Sequence, residues 1–544
     1  MRYVLDIETT SDASRIWMVV TQDLDTGEQL CHTGPSTLAP LLDQADLVIG
    51  HNLIGFDAPV LKTLWNLVIP SGKIRDTLVL SRLYRPDLEG GHSLENWGRI
   101  LKSPKLDYTE FDDPDLVEME RYCRQDVTLT AKVWAYLTDL MQRMTFSDRS
   151  IELEHAVAII VKKQVDTGWW IDQPALFRLL ATLERKLRLL EEDLQATFPP
   201  KITVLKTKVK SEPFNPGSRK QIAEALMARG WKPSEYTEKG AVVVDEEVLS
   251  SLDYPEAKLL AEYFMVQKRL GMVESWVKAL DEKTGRIYGR VISNGAVTGR
   301  MTHSNPNLAQ VPAAKPKVPY GVECRSCFSA EPPNVLVGVD ASGLELRMLA
   351  HYMNDPAYIE EVVNGDVHTK NQKAAGLDTR DQAKTFIYAL LYGAGAEKIG
   401  SIAGGGEALG SRLMRRFFDN TPALAELKSK VARIAAKGTI PGLDGRRLHI
   451  RQPHKALNTL LQGGGAILMK QALIFLDEGL TEAGLRGRIV GNIHDEFQIE
   501  AHRDDADAIG QLAVRCIEKA GIHLGVRCPM TGEYRVGRNW SETH

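Results

Sequence analysis

The chain has 544 residues, 43% hydrophobic and 25% charged, with a formal net charge of −4. That length exceeds what one hydrophobic core serves, so two or more domains are expected, and a mean hydropathy of −0.21 is that of a soluble globular protein. A pI near 6.4 speaks against a surface that is basic throughout, though acidic metal sites can mask local basic grooves.

Six cysteines, Cys31, Cys123, Cys324, Cys327, Cys516 and Cys528, are too scattered for a disulfide framework and fit a reducing cytoplasm. No apolar run suggests a membrane span, which takes roughly 18 residues, and the N-terminal MRYVLDIETT enters a strand pattern directly.

Residues 1 to about 145 alternate short apolar strands (YVLDI, DLVIGH) with helical stretches, the pattern of an α/β domain. In LDIETT, Asp6 and Glu8 are two apart on a strand and leave the same face, where like charges repel unless cations sit between them. GHNLIGFDAP adds Asp57, and MERYCRQDVTL adds Asp126 with Tyr122 one helical turn before it. Such a set suits two hard divalent cations hydrolysing a phosphodiester, one activating water and the other steadying the leaving oxygen. DIE alone reads equally well as a pair of solvated strand-end acids. DIET, HNLIGFD and YCRQD, in that order, resemble the proofreading 3′–5′ exonucleases of the DEDD class, in the subtype with tyrosine. The resemblance implies that Asp6, Glu8, Asp57 and Asp126 hold the metals and that Tyr122 orients the attacking water. Since none of the four acids is missing, it also implies a working nuclease.

From 150 to about 200 the apolar spacing is helical, and helices resume from about 218 to 280. Between them, FPPKITVLKTKVKSEPFNPGS places Lys206, Lys208 and Lys210 in alternation. A small ribbon could lay them along a DNA backbone, and a solvated charged loop is an equal reading.

VLVGVDASGLELRMLAHYM, residues 335 to 353, is an apolar strand ending in Asp340 and running into a helical pattern. RDQAKTFIYALLYGAG places Arg380, Lys384, Tyr388 and Tyr392 at every fourth position, a slowly drifting helical stripe of two cations followed by two phenols. Alone that is a solvated face with core tyrosines; beside an acidic metal pair it suits a nucleoside triphosphate. GNIHDEFQIE, residues 491 to 500, alternates like a strand but carries His494, Asp495 and Glu496 in its middle. A buried Asp495 needs a positive partner. If its strand neighbours that of Asp340, the two acids can share two metal ions roughly 3.5–4 Å apart.

Together with NGAVTGRMTHSNPNLAQVP, NGDVHTKNQ, GLDGRRLHIRQPHKALNTLLQ and RNWSETH, these motifs resemble family A, pol I-like DNA polymerases over essentially the whole chain. The pattern DASGLELR at 340 to 347 is similar to that of the replicative enzymes of short-tailed phages. The resemblance implies an α/β and α+β multidomain chain: an RNase H-like 3′–5′ exonuclease domain over 1–145, then a right-hand polymerase domain over 146–544. Within the latter it places the thumb at about 165–285, the palm at about 286–365 and 456–544, and the fingers at about 366–455.

By the same resemblance Asp340 and Asp495, with the Ala341 carbonyl, hold two Mg²⁺ ions for nucleotidyl transfer. Two more serve the exonuclease site, with Mn²⁺ as a substitute. Lys384 is the general acid for pyrophosphate, and Arg380 and His368 clamp the phosphates. Glu345, near Tyr392, excludes ribonucleotides, and Tyr388 supplies a hydroxyl that lets dideoxynucleotides be accepted. Thr298, Arg300, Asn307, Gln310, Arg325, Asn458 and Gln462 touch primer or template, whose minor groove looks alike for all correct pairs. His494 steadies the primer end, and Glu496 serves the metals at one remove.

The implied partners are primer-template DNA and deoxynucleoside triphosphates, in a host cytoplasm if a phage carries the gene. Some phage relatives recruit a host thioredoxin through a long thumb insertion, but only KITVLKTKVKSEP stands at that place, so thioredoxin capture by this route is not expected. The exonuclease acids begin at residue 6, so no 5′ flap-cutting domain is expected, and His454 replaces an arginine that cellular relatives place four before Asn458. GGEALGSR at 405 to 412 lacks the P-loop lysine and reads as a flexible turn; CRSC at 324 to 327 has no second pair at zinc spacing. Two other readings stay open: a repair exonuclease with a decayed polymerase half, and a DNA-binding scaffold that keeps the fold for shape.

Overall fold

The computed structural model describes residues 1–204 and 209–544. The N-terminal part is built on a five-stranded sheet in the order Gln29–His32, Ile16–Asp23, Arg2–Thr9, Leu47–Gly50, Ile74–Asp76; the first three strands are antiparallel and the last two run parallel to Arg2–Thr9. Val4, Leu5 and Ile7 are buried on both faces of the central strand, as a strand covered on two sides requires. One cover is the helix Leu116–Arg143, started by Asp115, whose carboxylate accepts from the Val117 and Glu118 amides. Its buried stripe packs Cys123 and Val127 onto Val4, Val20 and Ile49.

The helix Asp148–Thr167 belongs to both halves of the molecule. Leu153, Val157, Ile160 and Val161 enter the large C-terminal core, while Ala158 and Ile159 pack on the N-terminal one. From the same helix Glu154 reaches a buried charge cluster: one of its oxygens meets both Arg446, at 2.6 Å, and Lys470, while Arg446 also pairs with Asp444 at 2.6 Å. Asn294 closes the ring, accepting from Arg446 and Lys470 and donating to the Arg82 carbonyl of the N-terminal part at 2.9 Å.

Two long helices, Gln173–Thr197 and Pro255–Ala279, then pack together through leucine stripes that include Leu176, Leu183, Leu194, Leu260 and Leu270. The segment between them holds a strand pair, Lys201–Val204 with Val209–Glu212, and the short helices Arg219–Met227 and Glu246–Ser251. Lys206 and Lys208 lie outside the described residues; Lys210 is on the second of these strands.

The C-terminal half is organised around an antiparallel sheet in the order Gly487–Ile493, Glu496–Ala501, Val335–Ala341, Gly532–Gly537. GNIHDEFQIE is therefore two strands and not one. The chain reverses at His494 and Asp495, with Ile493 paired to Glu496 and His494 in the left-handed region at φ 60°. The alternation expected across it is broken by a tight hairpin, which periodicity alone does not distinguish from a polar interruption.

Helices of residues 344–455 form a lobe beyond this sheet. There GGEALGSR is not a turn: from Glu407 it forms the start of the helix Glu407–Asn420. Cys324 and Cys327 are both free and fully buried around the short helix Gly321–Ser326. The helix Ala456–Glu482 lies within the one stretch of the described residues long and apolar enough to cross a membrane; 78% of its apolar window is buried inside the fold. Its Gly463, Gly464 and Gly465 let it press against Leu448, Met348 and Leu344, where a Cβ would stand 2.5 to 3.0 Å from those side chains.

Two candidate active sites

In the N-terminal sheet Asp6 and Glu8 leave the central strand on the face covered by the helix of Tyr122, Cys123 and Asp126, and Asp57 opens the helix Asp57–Trp65 beside them. Glu8, Asp57 and Asp126 are buried. The donor atoms of Asp6, Glu8 and Cys123 lie within 4.8 Å of one another, and the Cys123 thiol donates to Asp6 at 3.6 and 3.7 Å. Burial, and then the neighbouring Asp126, push the Asp6 carboxyl up to about 7. Burial with Asp6 and Asp126 raises Glu8 to about 9, and burial with Asp6 lifts Asp57 well above the usual carboxylate range. One oxygen of Asp126 is buried with no hydrogen-bond partner; the other meets Lys105 at 2.5 Å. Tyr122, one turn before Asp126, has its hydroxyl against both Asp126 and Lys105. Buried carboxylates crowded together, each raised by burial and most also by a neighbouring acid with only one lysine to offset them, are the donor chemistry of a hard divalent cation, so the residues fit one.

The second cluster lies at one end of the strands of the C-terminal sheet. Asp340 stands directly across from Glu496, and the Ala341 amide donates to the Asp495 carbonyl at 3.0 Å, which brings Asp340 and Asp495 together from residues far apart in the chain. Burial, then the charges of Asp495 and Glu496, push the Asp340 carboxyl up to about 7, and burial raises Asp495 too. Here too paired carboxylates fit a hard cation. Glu496 is otherwise engaged: it accepts from Trp540 Nε1 at 2.5 Å and meets His544 Nδ1 at 2.7 Å.

Facing the pair is the helix Arg380–Leu391, begun by a capping box between Thr379 and Gln382. Arg380 donates to Asp366 at 2.8 Å, and the charges of Arg380 and Lys384, after burial, depress His368, which places the imidazole beside the two cations. Lys384 is exposed. Tyr388 stacks with Tyr392 at 6.5 Å and approaches His368 at 6.4 Å. Tyr392 is the residue that caps the helix and not part of it, so the stripe's last member turns toward Glu345.

Of the residues expected along primer and template, Arg300 reaches Glu345 at 3.2 Å and lines a small cavity with His494, Asn492, Lys470 and Phe497. Thr298 and Asn307 are half-buried, Asn307 with an unpartnered buried oxygen, and Gln310 is exposed. Asn458 and Gln462 are half-buried and share one face of the helix Ala456–Glu482. Arg325 makes its contacts within the fold. It is 5% exposed, lies over the Trp540 ring at 4.3 Å and faces Glu496 at 3.9 Å, so in this conformation it braces the strand end.

Sequence reading missed Lys105, Cys123, Asp366 and Trp540. Cys123 could have been found, since it sits three before Asp126 and on the same helical face. Lys105 could not, because it lies in a stretch without periodicity.

A family model described as DNA polymerase family A matches residues 185–542. Among curated relatives, the DNA-directed DNA polymerase of Enterobacteria phage T3 is 34% identical over 92% of this chain and 92% of its own length. That of Escherichia phage T7 is 33% identical over 99% of this chain and 100% of its own. DNA polymerase I of Aquifex aeolicus is 26% identical over 99% and 95%. Among solved structures, the polymerase domain of Pol1 from M. smegmatis, in complex with DNA primer-template and dNTP, superposes with a TM-score of 0.84. At 20% identity it covers 100% of this chain and 96% of that one, which shows the fold.

Proposed function

The chain belongs to DNA polymerase family A, and on that premise we propose that it extends primers on a DNA template at the Asp340–Asp495 site and edits 3′ ends at the Asp6–Asp126 site. The same proposal divides the chain into a nuclease over 1–145 and a polymerase over 146–544, with thumb, palm and fingers as set out above. The observation that carries the reading is the convergence of Asp340 and Asp495 opposite a helix bearing Arg380 and Lys384.

Asp340 and Asp495 would hold Mg²⁺, which when bound would supply activation of the primer hydroxyl and neutralisation of charge on the pyrophosphate. The protein's own part is placement and proton transfer. Arg380, released from Asp366, and His368 take the triphosphate oxygens, Arg380 through charge-assisted hydrogen bonds. Lys384, exposed on the same helix, is within the right chemistry to protonate the leaving pyrophosphate. Tyr388 and Tyr392 offer ring faces to base and sugar, and Glu345, fixed by Tyr392 and Arg300, walls off the sugar's 2′ position. Thr298, Asn307, Gln310, Asn458 and Gln462 present donors to the minor groove, and His494 stands beside the primer end.

At the other site Asp6, Glu8, Asp57 and Asp126 would hold the cations and Tyr122 would orient water through its hydroxyl. Incubation of the protein with a primed template should lengthen the primer with Mg²⁺ and all four nucleotides, shorten it with Mg²⁺ alone, and do neither in chelator. Lengthening without shortening would remove the editing half of the proposal.

A further inference from the structure

We propose that Lys105 is a built-in counter-ion of the N-terminal carboxylate site: its ammonium occupies the place of a divalent cation at Asp126, and metal enters by exchanging with it. The proposal rests on the nuclease reading and adds to it a control of metal affinity. Lys105 Nζ stands 2.5 Å from Asp126 and 4.8 Å from the centre of the Tyr122 ring. Among the described residues no other ion pair reaches Asp6, Glu8, Asp57 or Asp126.

The lysine is not a stray surface side chain. The segment that carries it is held before and after it: Lys132 donates to Ser103 at 2.9 Å and Gln125 to the Pro104 carbonyl at 3.0 Å, both from the helix of Asp126. Downstream, Tyr108 and Phe111 pack on Tyr122 at 5.5 and 6.2 Å, and the Ser11 amide donates to Asp112 at 2.8 Å. The ammonium is thus delivered to the one carboxylate that is 3% exposed and still has an unpartnered oxygen.

One positive charge relieves a cluster of four acids only in part, which leaves the cluster attractive to a doubly charged ion. That ion and the ammonium cannot both sit within about 4 Å of each other without strong repulsion. Metal binding therefore has to break the Lys105–Asp126 pair, and the site binds metal more weakly than its acids alone would.

The test uses the full chain carrying Asp340→Asn and Asp495→Asn, which disables the other carboxylate pair. Mn²⁺ is titrated in and the free ion followed by electron paramagnetic resonance. Lys105→Met should bind Mn²⁺ about tenfold or more tightly than its parent, and should melt at a lower temperature than the parent without metal, a gap that closes on adding Mn²⁺. Unchanged or weaker binding in Lys105→Met overturns the proposal and points to a contact with the DNA phosphate instead. Mn²⁺ binding that ignores Asp6→Ala and Asp126→Asn overturns the nuclease reading itself, and this proposal with it. Should Lys105→Met not fold, Lys105→Gln keeps a hydrogen bond to Asp126 without the charge and is read in the same way.

Discussion

The hydroxyl of Tyr392 donates to the carboxylate of Glu345, 2.9 and 2.8 Å from its two oxygens, while Arg300 holds the same carboxylate at 3.2 Å. A carboxylate fixed from two sides is a rigid wall. Replacing it with a methyl group should admit a sugar with a 2′-hydroxyl: Glu345→Ala is expected to raise ribonucleotide incorporation relative to deoxynucleotide by about 100-fold. Single-turnover insertion of matched ribo- and deoxynucleotides measures the ratio, and an unchanged ratio would remove Glu345 from sugar selection.

Tyr388 is half-buried, and burial with the charges of Glu345 and Asp495 raises its phenol, which puts that hydroxyl near Asp495, where we propose the nucleotide binds. A hydroxyl there can stand in for the one a dideoxynucleotide lacks. Tyr388→Phe should therefore lower dideoxynucleotide incorporation by at least about 100-fold while sparing normal nucleotides, since a polar site left unpaired discriminates strongly. Chain-termination ladders from the two proteins give the comparison.

Both acidic clusters make stability depend on pH in a defined direction. Folding lifts Asp6 and Asp340 from 3.8 to about 7 and Glu8 from 4.5 to about 9. A group whose folded value is the higher one stabilises fully below its unfolded value and loses that contribution as pH climbs through its folded value. Burial holds His51, His155, His303 and His351 down at about 4, which favours the fold as pH rises toward 6.5, so the carboxylate effect stands alone only above that: the metal-free protein should lose melting temperature from about pH 6.5 to about pH 9. Mg²⁺ should restore it at the alkaline end and have little effect at the acid end. A melting temperature that rises over this interval would contradict the carboxylate crowding described here.

How much of this was readable in advance depends on how local each signal is. Asp6 and Glu8 share a strand face by the period-two rule, and Tyr122 and Asp126 share a helical turn, so those placements follow from spacing alone. Asp340 at a strand end was legible for the same reason. The turn at His494–Asp495 was not, because a two-residue hairpin with a non-glycine residue at φ 60° leaves no glycine to mark it. Lys105 was missed, and the Arg325–Glu496 contact was not foreseen, for a different reason: their partners, Asp126 and Glu496, are remote in sequence, and only packing decides which charges meet. The helical start of GGEALGSR shows the same limit, as three glycines suggest a turn while Gly406 in fact caps a helix.

The buried cluster of Glu154, Arg446, Asp444 and Lys470 ties the shared helix Asp148–Thr167 to the C-terminal core, and Asn294 carries it to Arg82 in the N-terminal part. Lys470 is fully buried, and burial lowers it to about 8 despite Glu154. Removing one member of such a pair strands the other charge, so Lys470→Met should destabilise the protein by about 3–5 kcal/mol, read as a lower urea midpoint. A loss below about 1 kcal/mol would mean that the cluster is solvated and contributes as little as a surface pair.

On the proposed function, Asp340 and Asp495 form one site for strand growth and the acids around Asp6 a separate one for strand shortening. A primed template assayed with Asp495→Ala and with Asp6→Ala tests it most directly, in the same buffer and at the same Mg²⁺. The account predicts that Asp495→Ala abolishes extension and keeps degradation, and that Asp6→Ala does the reverse. Extension that survives Asp495→Ala, or both activities lost together with a folded Asp6→Ala protein, would contradict it.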